Sequence, residues 1–314
     1  MRGVALAGHL TLAGSLVLAA VRFFPAQSWS PAAQLIAIFP LALPLALLAL
    51  GLLLGARSRR AALLAGGLAI VMTATISLRV VDRVEDTGAA TETLAVGAFN
   101  AYYGRADVAA LTRTVRSLDL DVLCVAEATP AFEAALVEDG LTAYLPAFVS
   151  LSEAGASGSV LYSRKPIRQL DSVPGSSFRM PRAVVTTDSG DVTVTCAHPV
   201  PPTTGNLGVW SRELRALRDT AAGTESPQGV MGDFNATWDH RLLRRIADRA
   251  DLVNATHVTG QGLVPTWPVV DGPVPFPFAQ IDHVLTDLPV VSAEIIEIPG
   301  SDHRLVAAVL SGPG

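Results

Sequence analysis

Three long apolar runs, at about residues 4–23, 32–54 and 61–78, fill the start of the chain, and none holds an Asp, Glu, Lys or Arg well inside it. Each approaches the roughly 20 residues with which an α-helix crosses a hydrocarbon core of about 30 Å. Backbone in lipid must satisfy its own hydrogen bonds, so runs like these have few choices besides helix. The expectation is a membrane domain over residues 1–81 with three transmembrane helices, the second kinked at Pro40 and Pro44. A cleaved signal peptide would account for the first run but not for the two behind it. His9, inside the first run, has no second metal-ligand type near it and reads as an interfacial or helix-packing residue.

Arginine placement sets the expected orientation. Arg57, Arg59 and Arg60 crowd the short loop between the second and third runs, and Arg2 precedes the first. Basic loops stay cytoplasmic. The loop at 25–31 has no basic residue and carries Trp29. The N-terminus is therefore expected inside, and everything past the third run outside. Arg79 and Arg83 count the other way, but three basic residues in one short loop outweigh them.

The mean hydropathy of +0.42 comes mainly from this N-terminal region. Residues 1–83 take seven arginines and one aspartate of the chain's 23 basic and 28 acidic residues, leaving 16 basic and 27 acidic, a net of −11. Tight nonspecific binding to duplex DNA is driven by Lys and Arg neutralising phosphates, so this remainder is poorly suited to it. Cys124 and Cys196 are the only cysteines. Each lies in a β-like apolar run, at 122–125 and 192–197, and no spacing motif links them. They read as two buried unpaired thiols, although an oxidising compartment would permit a bridge.

Residues 82–92 are polar and aperiodic and read as a linker. From residue 93 to 314 strands and helices alternate. Strand patterns cover 94–99, 121–126, 159–162, 183–187, 192–197, 229–231, 280–285, 293–298 and 305–310. Helical spacing covers 107–118, 130–138, 207–220 and 239–250, the second opened by Thr129 as N-cap with Pro130 behind it. The proline-rich stretch 269–278 cannot be a central strand and reads as an extended loop just before Asp282.

Asn100, Glu127, His198, Asp233, Asp282 and Asp302 share one property: each lies at or just after an apolar strand run. Side chains placed repeatedly at strand ends can converge on one rim of a sheet. A hard divalent cation takes a few carboxylate oxygens and keeps several waters, and Glu127 and Asp302 are the best ligand candidates. Asp233 and Asn235, two apart, would face the same side of extended chain and could hold an attacking water and a phosphate together. His303 could act as base or stabilise developing charge, with Asp282 fixing its tautomer, and His198 could donate to a phosphate oxygen. Each residue also has a plain reading. Gly232–Asn235 could be an Asx-type turn, Ser301–His303 a solvated loop, Glu127 a strand end and His198 a structural histidine. His283 reads as structural or supporting, and His240 and His257 as surface residues. Trp267 fits a membrane-facing or a buried position equally well.

The order Asn100, Glu127, His198, Gly-Asp-Phe-Asn at 232–235, Ile-Asp-His-Val at 281–284 and Ser-Asp-His-Arg at 301–304 resembles the endonuclease/exonuclease/phosphatase superfamily, from about residue 93 to 312. The resemblance implies a four-layer α/β sandwich, two facing β-sheets flanked by helices, and phosphoester cleavage dependent on Mg²⁺ or Mn²⁺. It also implies that Glu127 binds the metal with help from Asn100 and Asp302, and that Asp233 positions the water. On the same pattern Asn235 and His198 bind phosphate and Asp282 pairs with His303. Two positions depart from it. Ala126 stands where the family often has Gln, and Tyr102 where abasic-site nucleases carry an acid. The apolar N-terminus is more similar to the bacterial membrane branch, which includes proteins like the teicoplanin-resistance membrane protein VanJ. The resulting expectation is a membrane-anchored, metal-dependent phosphoesterase acting outside the cytoplasm on a phosphate ester or pyrophosphate of a lipid-linked substrate. The alternatives are a tethered extracellular nuclease, with Arg179, Arg182 and Arg212 as contributors to a basic groove, and a non-catalytic binding protein on the same fold. The bilayer and the phosphate-bearing substrate are the expected partners, and no protein partner is expected.

Overall fold

The computed structural model describes residues 2–23, 29–84, 92–225, 227–269 and 276–312. Most of the expected linker and the centre of the proline-rich stretch lie outside them.

The N-terminal region is a set of packed helices: α1 (Arg2–Val21), α2 (Ala32–Ala37), a 3-10 turn (Phe39–Leu41), α3 (Ala42–Gly55) and α4 (Arg59–Ser77). α1 and α4 are each about 30 Å long at 1.5 Å per residue, and both are long and apolar enough to cross a membrane. The second apolar run differs from the single kinked span expected. It breaks at residues 38–41 into two helices, and α3, with its 14 residues, is short for a span. Pro40 sits in the 3-10 turn at the break, where its missing N–H costs the ladder least. α3 packs between α1 and α4. Leu6, Leu10, Leu63, Leu64 and Ile70 point away from the bundle, between 62% and 76% exposed.

The remainder builds two six-stranded sheets. The first contains β1 (Thr93–Asn100), β2 (Val122–Ala126), β3 (Ala147–Leu151), β4 (Ser159–Ser163), β11 (Val290–Glu297) and β12 (Arg304–Ser311), in the order β11-β12-β1-β2-β4-β3. The second contains β5 (Ile167–Leu170), β6 (Arg182–Thr187), β7 (Gly190–Ala197), β8 (Gln228–Asp233), β9 (Val253–Asn254) and β10 (Asp282–Thr286), in the order β5-β6-β7-β8-β10-β9. Each sheet is antiparallel except for one central parallel pair, β1–β2 or β7–β8. A parallel pair needs a crossover, supplied by α5 (Val108–Ser117) in one sheet and α8 (Leu207–Ala222) in the other.

Alternation along the strands makes two apolar faces per sheet. Val96, Ala98, Val122 and Leu161 meet Val185, Val194, Met231 and Val284 between the sheets. The outer face of the first sheet buries Phe99, Leu123 and Val125 against Leu111 and Val115 of α5 and against Phe132 and Leu136 of α6 (Pro130–Glu138). The outer face of the second buries Val230 and Leu285 against Trp210, Leu214 and Leu217 of α8 and Leu243 and Ile246 of α9 (Arg241–Ala250). This is a four-layer α/β/β/α sandwich. Thr129 caps α6 through a 3.2 Å bond from Phe132 N, as its sequence position predicts. Short helices α7 (Leu141–Tyr144) and α10 (Ala255–Val258) complete the described elements.

The cysteines correct the expectation of free thiols. Cys124 on β2 and Cys196 on β7 point into the inter-sheet core with Cα atoms 5.5 Å apart, and they form a disulfide. A bridge between facing sheets joins residues 72 apart in sequence, so no local spacing announces it.

Candidate active site

The parallel pairs decide where the site falls. β1 and β2 end together, at Asn100 and just before Glu127; β7 and β8 end together, just before His198 and at Asp233. β10 runs antiparallel to β8 and begins where β8 ends, so Asp282 pairs with Asp233. β12 runs antiparallel to β1 and begins just after His303. All eight residues singled out from sequence thus gather at one rim, where the two sheets meet.

Two motif glycines let the chain approach that closely. A Cβ on Gly232, at φ 143°, would lie 2.1 Å from the Ala197 carbonyl oxygen. A Cβ on Gly300, at φ 82°, would lie 2.6 Å from the Arg105 carbonyl oxygen. Side chains are excluded at both. Two non-glycine residues of the site are also left-handed, Glu127 at φ 54° and Asn235 at φ 47°. Such conformations persist only where surrounding contacts fix them. Tyr103 N donates to Glu127 Oε2 at 2.7 Å, and Asn235 N donates to Asp233 Oδ1 at 2.7 Å. Asn235 therefore folds back in an Asx turn instead of following Asp233 in extended chain. Its side-chain amide donates to Pro199 O at 3.0 Å, beside His198.

Asn100 Nδ2 bridges the two sheets, donating to Glu127 Oε1 at 3.2 Å and to Asp233 Oδ2 at 3.0 Å. His303 Nδ1 meets Asp282 Oδ2 at 2.9 Å, which leaves Nε2 facing Asp233 Oδ2 at 3.8 Å and Asp302 Oδ1 at 3.9 Å. His198 Nε2 lies 3.9 Å from the same Asp233 oxygen. Burial alone would lower His303, but the Asp282 and Asp233 carboxylates outweigh it and raise the imidazole to about 10. The ring is therefore an imidazolium at neutral pH. Burial and then the His303 charge hold His198 down to about 3, so it is neutral. Burial pushes Asp233 upward against the pull of His303. Burial also raises Glu127, against its bonds from Asn100 and Tyr103.

Four carboxylates thus surround one imidazolium, and Asp233 and Asp282 are 1% and 0% exposed. Asp302 Oδ1 and Asp282 Oδ1 are buried without a hydrogen-bond partner. Buried negative charge in excess requires a counter-charge. Asp233, Asp282 and His303 offer ligand atoms within 4.8 Å of one another. His303 Nδ1 and Asp282 Oδ2 are engaged with each other at 2.9 Å, which leaves this cluster fewer free ligand atoms. Glu127 and Asp302, close enough to repel each other, are the carboxylate donors left; Asn100 turns Nδ2 toward Glu127 and spends Oδ1 on Tyr102 N at 2.9 Å. The free Asp302 oxygen and the basic Glu127 carboxylate fit a hard divalent cation there.

Three residues shape the rim although sequence reasoning assigned them no role there. Trp267 Nε1 donates to Asp302 Oδ2 at 3.1 Å, so this half-buried indole faces the site. Ser301 Oγ donates to Asn100 O at 2.7 Å and accepts from His303 N at 3.0 Å, tying the Ser-Asp-His motif to β1. Thr266 Oγ1 accepts from Asp282 N at 3.2 Å. The position of Ser301 inside the motif was a usable signal, whereas Thr266 carried none. Two histidines read as surface residues are buried instead: His240 is 1% exposed and His257 5%. His240 Nδ1 accepts from Thr237 N, and Nε2 donates to Ala33 O. His257 packs edge-on against Trp238 at 4.6 Å. His283 is structural, held between Asn254 Nδ2 and Ala236 O. Of the three arginines proposed for a basic groove, Arg212 is exposed and the other two are engaged. Arg179 is paired with Glu153, and Arg182 is spent on Thr195, Thr224 and the Asp171 carbonyl.

A comparison with curated proteins gives no match. Solved structures do match. An endonuclease/exonuclease/phosphatase from Beutenbergia cavernae DSM 12333 superposes with TM-score 0.55 at 20% identity, covering 71% of this chain and 72% of its own. D. rerio TDP2, complexed with a single-strand DNA product, superposes with TM-score 0.57 at 15% identity, covering 70% of this chain and all of its own. Sphingomyelinase C from Streptomyces griseocarneus gives TM-score 0.50 at 15% identity, with coverages of 70% and 100%. At these identities the likeness establishes the fold. The model of the Endonuclease/Exonuclease/phosphatase family matches residues 97–303, a span that holds every one of the eight rim residues. With that match over most of the sandwich, the chain belongs to the endonuclease/exonuclease/phosphatase family, whose members are phosphoesterases and nucleases.

Proposed function

We propose that the protein is a membrane-anchored, metal-dependent phosphoesterase that hydrolyses a phosphate ester or pyrophosphate of a lipid-linked substrate on the extracytoplasmic face. The observation that carries this reading is that loops flanking the site rest on the N-terminal helices. The loop after His198 meets α2 and the residues before it: Gln34 Nε2 donates to Pro202 O, and Ser30 Oγ lies 3.5 Å from Thr204 Oγ1. Leu263, two residues from Pro265, packs on the cluster formed by Leu18, Phe39 and Met72. A site whose flanking loops rest on helices with uncovered leucine faces favours a substrate held in a bilayer over one free in water.

The orientation has support of two kinds. Arg22 and Arg79 both reach Asp239, so α1 and α4 end on the sandwich side, and the Arg57–Arg60 loop lies at the opposite end of α4. Arg79 therefore spends its charge on a buried carboxylate and no longer opposes an outward sandwich. The Cys124–Cys196 bridge suits an oxidising compartment. The net charge of −11 beyond residue 83 and the engagement of Arg179 and Arg182 disfavour nucleic acid.

In this reading Asp233, made more basic by burial, accepts the proton of the attacking water. Asn235 and neutral His198 hold phosphate oxygens. The His303 imidazolium, fixed by Asp282 on its far nitrogen, donates from Nε2 to charge developing on the phosphate. Glu127 and Asp302 would hold Mg²⁺ or Mn²⁺, which supplies Lewis-acid neutralisation of the phosphate when bound. The apolar N-terminus, on which the expected resemblance to the membrane-anchored bacterial branch rests, agrees with this assignment.

The test is a Mg²⁺- and Mn²⁺-dependent screen of full-length protein in detergent, comparing lipid pyrophosphates, phosphodiester lipids and nucleic acids. Metal-dependent turnover of a lipid class is expected. Preferential cleavage of nucleic acid would overturn the substrate assignment, and no hydrolysis of any class would overturn the reaction. Added protease should cut the sandwich in intact spheroplasts; protection until lysis would reverse the orientation.

A further inference from the structure

The loop that carries Asp233 and Asn235 continues to Asp239 and to His240, the residue just before α9. Asp239 is 1% exposed and lies between two arginines from the N-terminal region. Arg79 grips it with both terminal nitrogens, Nη1 to Oδ2 at 2.8 Å and Nη2 to Oδ1 at 2.5 Å. Arg22 Nε lies 2.8 Å from Oδ1, and its guanidinium stacks on Phe39, 4.8 Å from the ring centroid. One residue further on, His240 Nε2 donates to Ala33 O at 2.9 Å. Ala33 is itself part of the apolar cluster that holds Phe234, Trp210 and Leu243. Three separate segments of the N-terminal helices therefore converge on the segment that follows the Gly-Asp-Phe-Asn turn.

Within the sandwich this segment has contacts of its own: Asn235 Nδ2 donates to Pro199 O, Arg244 Nη1 donates to Trp238 O, and Phe234 and Ala236 lie in the core against α8 and α9. Phe234 N donates to Ile281 O, and Ala236 O accepts from His283. The left-handed Asn235 sits between these anchors and depends on its flanks for its geometry. A bidentate arginine on a desolvated carboxylate fixes direction as well as distance.

We propose that Asp239 is a positioning residue for the phosphoester site. Held by Arg22 and Arg79, it sets the course of residues 234–240 and thereby the aim of Asp233 and Asn235. The N-terminal helices are then a part of the active site's scaffold and more than a tether. The proposal rests on the phosphoesterase reading for its activity readout, and hydrogen exchange supplies a readout that does not.

The experiment uses the full-length chain in detergent micelles, with Mn²⁺ and bis(p-nitrophenyl) phosphate as a water-soluble probe. Asp239→Asn keeps the volume and removes both ion pairs. Its kcat should fall about tenfold or more, the cost of a small misplacement of reacting groups, while KM and the half-saturating Mn²⁺ stay near wild type. Arg79→Lys, which keeps the charge but loses the bidentate grip, should give an intermediate kcat and also serves if Asp239→Asn fails to fold. Arg164→Gln removes a comparable ion pair with Asp119 and Asp121 at the far end of β2 and should leave kcat unchanged. Amide exchange at 234–240 should rise in the Asp239 and Arg79 variants while exchange at 122–126 does not. Unchanged exchange at 234–240, or a kcat equal to that of the Arg164 control, would overturn the proposal. A wild-type protein inert toward every phosphoester would instead overturn the hydrolytic reading, and exchange would still decide the clamp.

Discussion

His303 holds the positive charge of the rim because two carboxylates outweigh the burial that would discharge it. Asp282 takes Nδ1, so the proton that matters to a ligand is the one on Nε2, facing Asp233 and Asp302. His198, equally buried but without a carboxylate bonded to it, stays neutral. One rim thus offers a charged and an uncharged imidazole donor. Asp233→Asn preserves the bond from Asn100 but removes the base. Turnover should fall by about 10²–10⁴, the usual loss for a positioned acid or base, with thermal unfolding close to wild type. Retained metal-dependent turnover would remove Asp233 from the reaction. Sequence reasoning reached these residues because each stands at a strand end. It set the turn reading of Gly-Asp-Phe-Asn against the functional one, and at Asn235 they are a single arrangement: the Asx turn is what brings the amide back to the rim. His240 and His257 were misplaced because their partners, Ala33 and Trp238, lie on segments whose packing no local pattern reveals.

The strands that sequence periodicity missed are β3, β5 and β9, and all three are edge strands. Their exposure explains it. β3 and β5 carry exposed or half-buried residues at most positions, and β9 has only two residues, so the apolar alternation that marks an interior strand is weak or absent. Interior strands β1, β2, β7 and β8 are buried along most of their length and were legible. The disulfide was not, because it depends on which faces of β2 and β7 oppose each other, a property of sheet packing. The bridge closes a 72-residue segment and ties the two sheets through their shared core. Replacing both cysteines by alanine should cost about 2–4 kcal/mol, mainly through a less restricted unfolded chain. Calorimetry of the double variant measures the loss. Titration of wild-type protein unfolded without reductant should find no free thiol, and two free thiols would remove the bridge.

Across the whole molecule, helices and sandwich share one interior: Ala33 packs with Trp210, and Asp239 pairs with arginines at the ends of two helices. Charge counting along the chain could not anticipate this, since it treated Arg79 as a free cytoplasmic signal. The molecule also buries histidines that resist protonation. Burial, chiefly, lowers His283 to about 4, His198 to about 3 and His257 to about 2, and it lowers His240 as well. All four are neutral in both states well above pH 6.5, so they do not affect stability there. Below about pH 6.5 the unfolded chain takes up protons that the folded one refuses. Through these histidines stability falls as the pH drops from about 6.5 toward 4, each steepening the slope by at most about 1.4 kcal/mol per pH unit, while the raised Asp233 and Glu127 carboxyls offset part of that slope. His303 acts in the opposite sense. Its raised value gives stability that is fully present below about pH 6.5 and lost as the pH climbs toward 10. The melting temperature of the metal-free protein, measured in EDTA, should peak near neutrality and decline more steeply on the acid side. His257→Leu replaces a ring whose Nε2 has no partner, so it should flatten the acid limb without affecting the alkaline one. A melting temperature level from pH 7 to about 4.5, or an acid limb unchanged in His257→Leu, would show that these histidines are not buried in neutral form.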